Sequence, residues 1–221
     1  MKPALEGLLQ PGDLAPDFAL PAVQSDGIVS LSDYRNRGAL LLGLFRGLYC
    51  PFCRRAIAQM AASAEQLKPL GIESLGVVAT ELENARLYYR FRPMRLPLAV
   101  DPTLSTHRSY RVPKPDPTPE LLQAITTIRV NPTGELPEPV RLDQAVGMLD
   151  QMDGFQRTDV DQRDSDHFTQ LEGQFLIDRD GVIRWVNIEC ANEGPAGMGK
   201  FPTTDELLAA ARRQGMNVNL T

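Results

Sequence analysis

Two cysteines three positions apart, in Cys50-Pro51-Phe52-Cys53, are the residues of this chain best placed to do chemistry. Residues i and i+3 of a helix share a face, so such a pair can open and close a disulfide with little backbone movement. The thiolate is the reactive form, and local charge decides how much of it exists at neutral pH. Arg46, Arg54 and Arg55 bring positive charge close to the pair. Tyr49 and Phe52 flank the thiols and offer a partly apolar rim around Cys50 that can contact substrate. A zinc site built on the same CxxC would need two further ligands, drawn from Cys190, His107 and His167, and these form no second close pair. Taken singly, each reads more simply as structure: Cys190 as a small buried hydrophobe rather than a third redox thiol, and the histidines as packing groups. The expectation is therefore a redox dithiol with no metal and no cofactor.

The elements around the pair support that chemistry. Residues 39–45 form a short unbroken apolar run, which suits a central strand covered on both faces. After the CxxC, Ala56, Ile57, Met60, Ala61, Ala64 and Leu67 recur at helical spacing, with Gly71 as a stop. Cys50 then falls at a helix N-terminus, where free backbone N–H groups and the positive end of the dipole favour a thiolate. Such placement brings a thiol from about 8.5 into a range of roughly 3.5 to 7.5.

Further along, residues 72–79 and 96–100 read as strands, with a helix between them running to about Pro93. Thr80 and Glu83 have the spacing of a capping box at its start. Residues 103–110 suit a short helix. Residues 173–178 and 182–188 read as two strands joined by a tight turn at Asp180-Gly181, with Trp185 in the hairpin packing. A second capping box, Thr203 with Glu206, opens a last helix with Leu207, Leu208 and Ala211 inward and Gly215 as C-cap. Strand, helix, strand, helix, strand, hairpin and helix is an α/β order with parallel strands first and an antiparallel pair last.

Residues 112–171 interrupt that order. The run Pro113 to Pro119 is stiff and extended, residues 120–130 read as an amphipathic helix, and residues 141–152 as another, with Leu142, Val146, Leu149 and Met152 inward. The acidic run 159–166 lacks the Gly and terminal Glu of a calcium loop and reads as a solvated loop. This segment has three readings: a lid over the CxxC, an arm that makes a homodimer, or a helical ornament beside the sheet.

Composition narrows the function classes. The 221 residues carry a formal net charge of −5 and are 43% hydrophobic, enough for one domain, 1–221, with a real core. The pI near 5.1 argues against nucleic acid and anionic membrane partners. No stretch is long and apolar enough to span a bilayer, and the first residues do not read as a secretory signal, so a cytoplasmic location is expected.

With the element order in hand, the sequence resembles the thioredoxin-like superfamily, and within it the peroxiredoxin-like branch (alkyl hydroperoxide reductase/thiol-specific antioxidant). The residues that carry this are Gly12 to Leu20, Phe45-Arg46-Gly47-Leu48-Tyr49-Cys50-Pro51-Phe52-Cys53, Asp101-Pro102 and Phe175 to Gly181. The resemblance covers residues 11–111 and 172–214. It implies a thioredoxin-like α/β fold: a central mixed sheet, flanking helices, an N-terminal extension and, here, a helical insertion. It also implies Cys50 as the peroxidatic or attacking thiol, Cys53 as the resolving one, and recycling by a thioredoxin- or glutaredoxin-type donor. Arg46, Gly47, Tyr49, Pro51, Phe52, Arg54 and Glu172 are then the candidates for holding substrate or stabilising the thiolate.

Three positions depart from the family pattern. Typical members have a Thr three residues before the peroxidatic Cys and a Pro seven before; here these are Gly47 and Gly43. The Arg expected ahead of the hairpin is Glu172, and Arg129 is the residue available to swing in for it. Glu172 near the thiols would raise a thiolate's pKa or shuttle a proton, and away from them it is a solvated charge at a strand end. These departures affect the groups that orient a peroxide and leave the dithiol untouched. A peroxide-reducing enzyme is thus the leading expectation. The alternatives are a disulfide reductase without peroxidase activity and a non-catalytic redox-sensing or partner-binding module.

Overall fold

The computed structural model describes residues 7–213. Two short strands, β1 (Ala19–Pro21) and β2 (Ile28–Ser30), form an antiparallel ribbon. Then come β3 (Ala39–Phe45), α1 (Pro51–Leu67), β4 (Ile72–Val78), α2 (Leu82–Phe91), β5 (Leu98–Val100) and the short α3 (Ser105–Ser109). After the insertion come β8 (Gly173–Ile177), β9 (Ile183–Ile188) and α7 (Thr204–Arg213). The main sheet has five strands in the order β5-β4-β3-β8-β9. Strands β3, β4 and β5 run parallel, while β8 and β9 are antiparallel to their neighbours.

The apolar run 39–45 does become the central strand, with every residue buried. Its period of two sorts side chains between two cores. Leu40, Leu42 and Leu44 face a layer made by the N-terminal extension, including Leu9, Phe18, Leu20 and Leu31. Leu41 and Phe45 face α1, where Ile57 and Met60 are fully buried. Gly43 shares that second face, and a Cβ there would lie 2.7 Å from Met60 Sδ. Glycine at this point lets α1 sit close on the strand that leads into the CxxC.

The insertion holds α4 (Pro119–Thr127), a small ribbon of β6 (Arg129–Val130) and β7 (Val140–Arg141), α5 (Leu142–Asp153) and α6 (Asp159–Asp164). Val130, Leu136, Ala145 and Leu149 join the α1-side core. Arg54 and Arg55 of α1 both pair with Asp153 at the end of α5, which fastens the insertion to the helix that follows Cys50.

Several local expectations need correction. The helix read over 120–130 ends at Thr127, because Arg129 and Val130 pair as a strand with Val140 and Arg141. Met152 is exposed rather than inward. The acidic run is a helix, capped by Thr158 and Asp161, and Asp161 is buried where Asn84 Nδ2 donates to it at 3.0 Å. No capping box forms at Thr80: Glu81 is the N-cap, and Thr80 Oγ1 instead accepts from Asn84. The box at Thr203 does form, with Glu206 Oε2 accepting the Thr203 N–H at 2.8 Å. Gly215 lies outside the described residues.

Candidate active site

The central strand ends at Phe45, and the chain crosses to α1 through Arg46-Gly47-Leu48-Tyr49-Cys50. Cys50 is extended (φ −87°, ψ 116°) and caps α1, with Pro51 as the first helical residue. Proline suits that position because its missing N–H would find no partner there. The Cys53 N–H points at Cys50 Sγ, 3.5 Å away. Cys50 and Cys53 are both buried and both free thiols.

The antiparallel register of β3 and β8 delivers the third group. Leu44 lies opposite Gly173, so Glu172 falls beside the end of β3, where Arg46 begins the loop to Cys50. Glu189 sits across from it, just past the end of β9, its N–H donating to the Glu172 carbonyl at 3.0 Å. Two carboxylates thus meet one arginine. Arg46 Nη2 is paired with Glu189 Oε2 and lies 3.6 Å from Glu172 Oε1. Its Nη1 reaches the Phe168 carbonyl at 3.5 Å. Glu189 also accepts the Gly199 N–H at 2.7 Å, holding the loop after β9 against the site. Arg46, Glu172 and Glu189 are each less than 5% exposed.

Cys50 Sγ, Cys53 Sγ and a Glu172 carboxylate oxygen all lie within 4.8 Å of one another. Glu172 is therefore part of the site and not a solvated charge at a strand end. Arg129 is not: its guanidinium donates to the Pro139 carbonyl at the surface of the insertion. Where the family pattern has an arginine, an acid stands at 172, and the cation beside the thiols is Arg46.

Electrostatics divides the two thiols. Burial alone raises Cys50, but the hydrogen bond from Cys53, the Arg46 charge and the Cys53 backbone N–H together bring it down to about 6. Cys53 moves the other way, raised by burial and by the neighbouring Cys50. At neutral pH the pair is one thiolate and one thiol. Burial, then the charge of Glu189, pushes Glu172 up to about 8 against the pull of Arg46, so it holds a proton at pH 7.

The remaining candidates fall into place around these. Arg54 does not face the thiolate: its guanidinium bonds to the Leu48 carbonyl at 2.8 Å, to Asp150 and to Asp153, and stacks on Phe155. Its contribution is to hold the Leu48 turn. Tyr49, Pro51 and Phe52 line a cavity of about 200 Å³ beside Cys50, closed on the insertion side by Ile125, Val146 and Phe168. Gly47 has φ 154°, and a Cβ there would come within 2.6 Å of the Tyr49 ring. The Thr found nearby in typical relatives has no room here. Gly47→Ala is expected to cost about 1–3 kcal/mol of stability, measured by denaturant unfolding, because the ring must shift.

Cys190 lies just past β9 in a left-handed conformation (φ 63°), and burial pushes its thiol up to about 12, so it stays protonated at neutral pH. His107 is buried and kept neutral, lowered to about 3 by burial. His167 is held by Lys114. None of these three belongs to the cluster of Cys50, Cys53 and Glu172. Glu189 is the residue that sequence reasoning missed. Its only signal was an acid at the end of an apolar strand, directly before a Gly-rich loop.

A parallel-then-antiparallel sheet with a CxxC capping the helix after its central strand defines a thioredoxin-like thiol oxidoreductase. A family model described as the AhpC/TSA family matches residues 11–186, and the chain belongs to that family. Solved structures share the fold. The 2-Cys peroxiredoxin of Plasmodium vivax superposes with a TM-score of 0.57 at 15% identity, over 92% of this chain and 82% of that one. The peroxidoxin BcpB of Mycobacterium tuberculosis gives 0.53 at 14%, over 93% and 94%. A Chlorobium tepidum protein assigned as the thiol:disulfide interchange protein DsbE gives 0.53 at 19%, over 95% and 99%. No curated protein matches the chain significantly. Among the described residues no helix is long and apolar enough to cross a membrane.

Proposed function

We propose that this enzyme reduces hydroperoxides, with Cys50 as the attacking thiolate and Cys53 as the resolving thiol. The observation that carries this reading is the burial of Cys50. Its residue is 6% exposed, and it meets the surroundings through a cavity of about 200 Å³. A hydroperoxide fits such a space whole and meets the thiolate as the site stands, whereas a protein sulfur, that of the recycling donor included, reaches the pair only once the insertion side of the cavity moves aside. The Cys50 thiolate attacks the outer peroxide oxygen, the O–O bond breaks, and the departing alkoxide takes the proton of Glu172. Cys50 is left as a sulfenic acid. The Cys53 thiol returns a proton to Glu172 and its sulfur attacks Cys50. A disulfide forms, and the hydroxide that leaves takes a proton from solvent, the equivalent of the one Cys50 released on becoming a thiolate, and departs as water. A thioredoxin- or glutaredoxin-type dithiol then reduces the disulfide by exchange. This reading places the protein in the cytoplasm, where the thiol pool keeps the pair open between turnovers.

The pH profile tests the assignment. Oxidation of the reduced protein should speed up as pH rises through about 6, where Cys50 becomes thiolate, and slow above about 8, where Glu172 loses the proton it donates. Glu172→Gln should keep the lower limb, lose the upper one, and lower the plateau about 100-fold, the scale of a positioned general acid. A plateau unchanged in that variant would remove Glu172 from the mechanism.

A further inference from the structure

The reduced site is also a set of metal ligands. Two sulfurs and a carboxylate oxygen, all from buried residues, converge within 4.8 Å. Glu172 Oε1 is buried with no hydrogen-bond partner. Leaving such an acceptor unpaired costs about 1–3 kcal/mol, more when it is charged. Arg46 does not fill the role: it stands 3.6 Å from that oxygen, and Glu189 already neutralises it through the other guanidinium contact.

Zinc matches the donor set. It takes thiolates at about 2.3 Å and carboxylate oxygens at about 2.0–2.2 Å, so ligand atoms around it sit roughly 3.3–3.8 Å apart. The three donors need to close by at most about 1–1.5 Å to reach that spacing, a movement within the reach of side-chain torsions. The three-residue ligand set leaves one tetrahedral position over, as in zinc sites that keep an open coordination position. Cys50 borders the cavity lined by Tyr49, Phe52 and Phe168, which gives an ion its way in and a place for a fourth ligand.

We propose that the reduced protein binds one zinc ion through Cys50, Cys53 and Glu172, with the fourth position turned toward the cavity beside Cys50. A sulfur lone pair held by zinc is not available to a peroxide, and the disulfide cannot hold the ion. The loaded protein is therefore a protected form of the dithiol. Binding itself does not depend on which oxidant the enzyme uses.

The test is a titration of the full-length protein, reduced with a phosphine that is then removed without air, against zinc in competition with a chromophoric chelator. One ion per chain is expected. Glu172→Gln should bind at least about 10-fold more weakly, since losing even an outer partner of a ligand costs about 10–100-fold and Glu172 is itself a ligand, and Cys53→Ser should lose tight binding. Wild-type affinity no better than that of Cys53→Ser, or equal to that of Glu172→Gln, overturns the site. X-ray absorption at the zinc edge of the wild-type complex gives an answer that needs no variant. Two sulfurs with at least one lighter ligand support the proposal, and a shell of only light atoms or of four sulfurs contradicts it.

Discussion

Cys50→Ser is expected to abolish turnover, by more than about 10³-fold, while Cys53→Ser completes the first half-reaction and stops. The two thiols share a helix turn but not an environment. Cys50 accepts the Cys53 N–H and feels Arg46, so it is the thiolate; Cys53 is buried deeper in negative surroundings and keeps its proton. A serine hydroxyl at position 50 cannot ionise near neutral pH and has no comparable nucleophilicity. With serine at 53, the oxidised Cys50 loses its resolving partner, because Cys190 stands outside the cluster of Cys50, Cys53 and Glu172. Mass spectrometry after one equivalent of peroxide should find a sulfenic acid, or its adduct with an added thiol, on Cys50 in the Cys53→Ser protein. Full turnover in the Cys50→Ser protein would show that the chemistry lies elsewhere.

The Arg46→Met variant should lose about 3–5 kcal/mol of folding stability, the cost of breaking a buried ion pair from one side. Among the described residues Arg46 is the only cation paired with two buried carboxylates, and its side chain and that of Glu189 are 5% and 2% exposed. Removing it strands Glu189 in dry protein. The double variant Arg46→Met/Glu189→Gln removes both charges and should recover most of that stability. Reactivity should behave differently. The Arg46 charge helps hold Cys50 down at about 6, so both variants should show a higher thiol pKa in a titration of thiolate absorbance. Restored stability with a still-raised pKa separates the two roles of this arginine. A single variant within about 1 kcal/mol of the wild type would contradict the buried network.

Much of the fold was legible because its signals are local. The apolar run 39–45, the helical spacing after Cys53 and the Thr203–Glu206 box each act over a few residues, and each appears as read. The reading failed where a distant partner decided the outcome. Thr80 has the spacing of a cap, yet Asn84 and Asp161, the latter 77 residues away from Asn84, draw its neighbourhood into a buried network. The acidic run looked solvated because nothing in its own pattern shows that Asp161 will be covered by α2. In the site itself, the CxxC, its helix and Glu172 as a candidate were visible, but Glu189 and the meeting of the two acids at Arg46 were not. Glu172 reaches the thiols through the register of β8 against β3, and Glu189 through the register of β9 against β8. Arg54 shows the converse: a charge adjacent in sequence that the insertion's Asp150 and Asp153 turn away from the thiolate.

The most direct measurement is the rate at which a hydroperoxide oxidises the fully reduced protein, followed by stopped flow with mass spectrometry of the product. A rate far above that of a simple thiolate of the same pKa, ending in a Cys50–Cys53 disulfide, is the predicted result, and it would mean that Arg46 and Glu172 activate the peroxide without the usual family groups. A rate no better than that of a free thiolate would contradict peroxide reduction and move the dithiol to disulfide exchange or redox sensing.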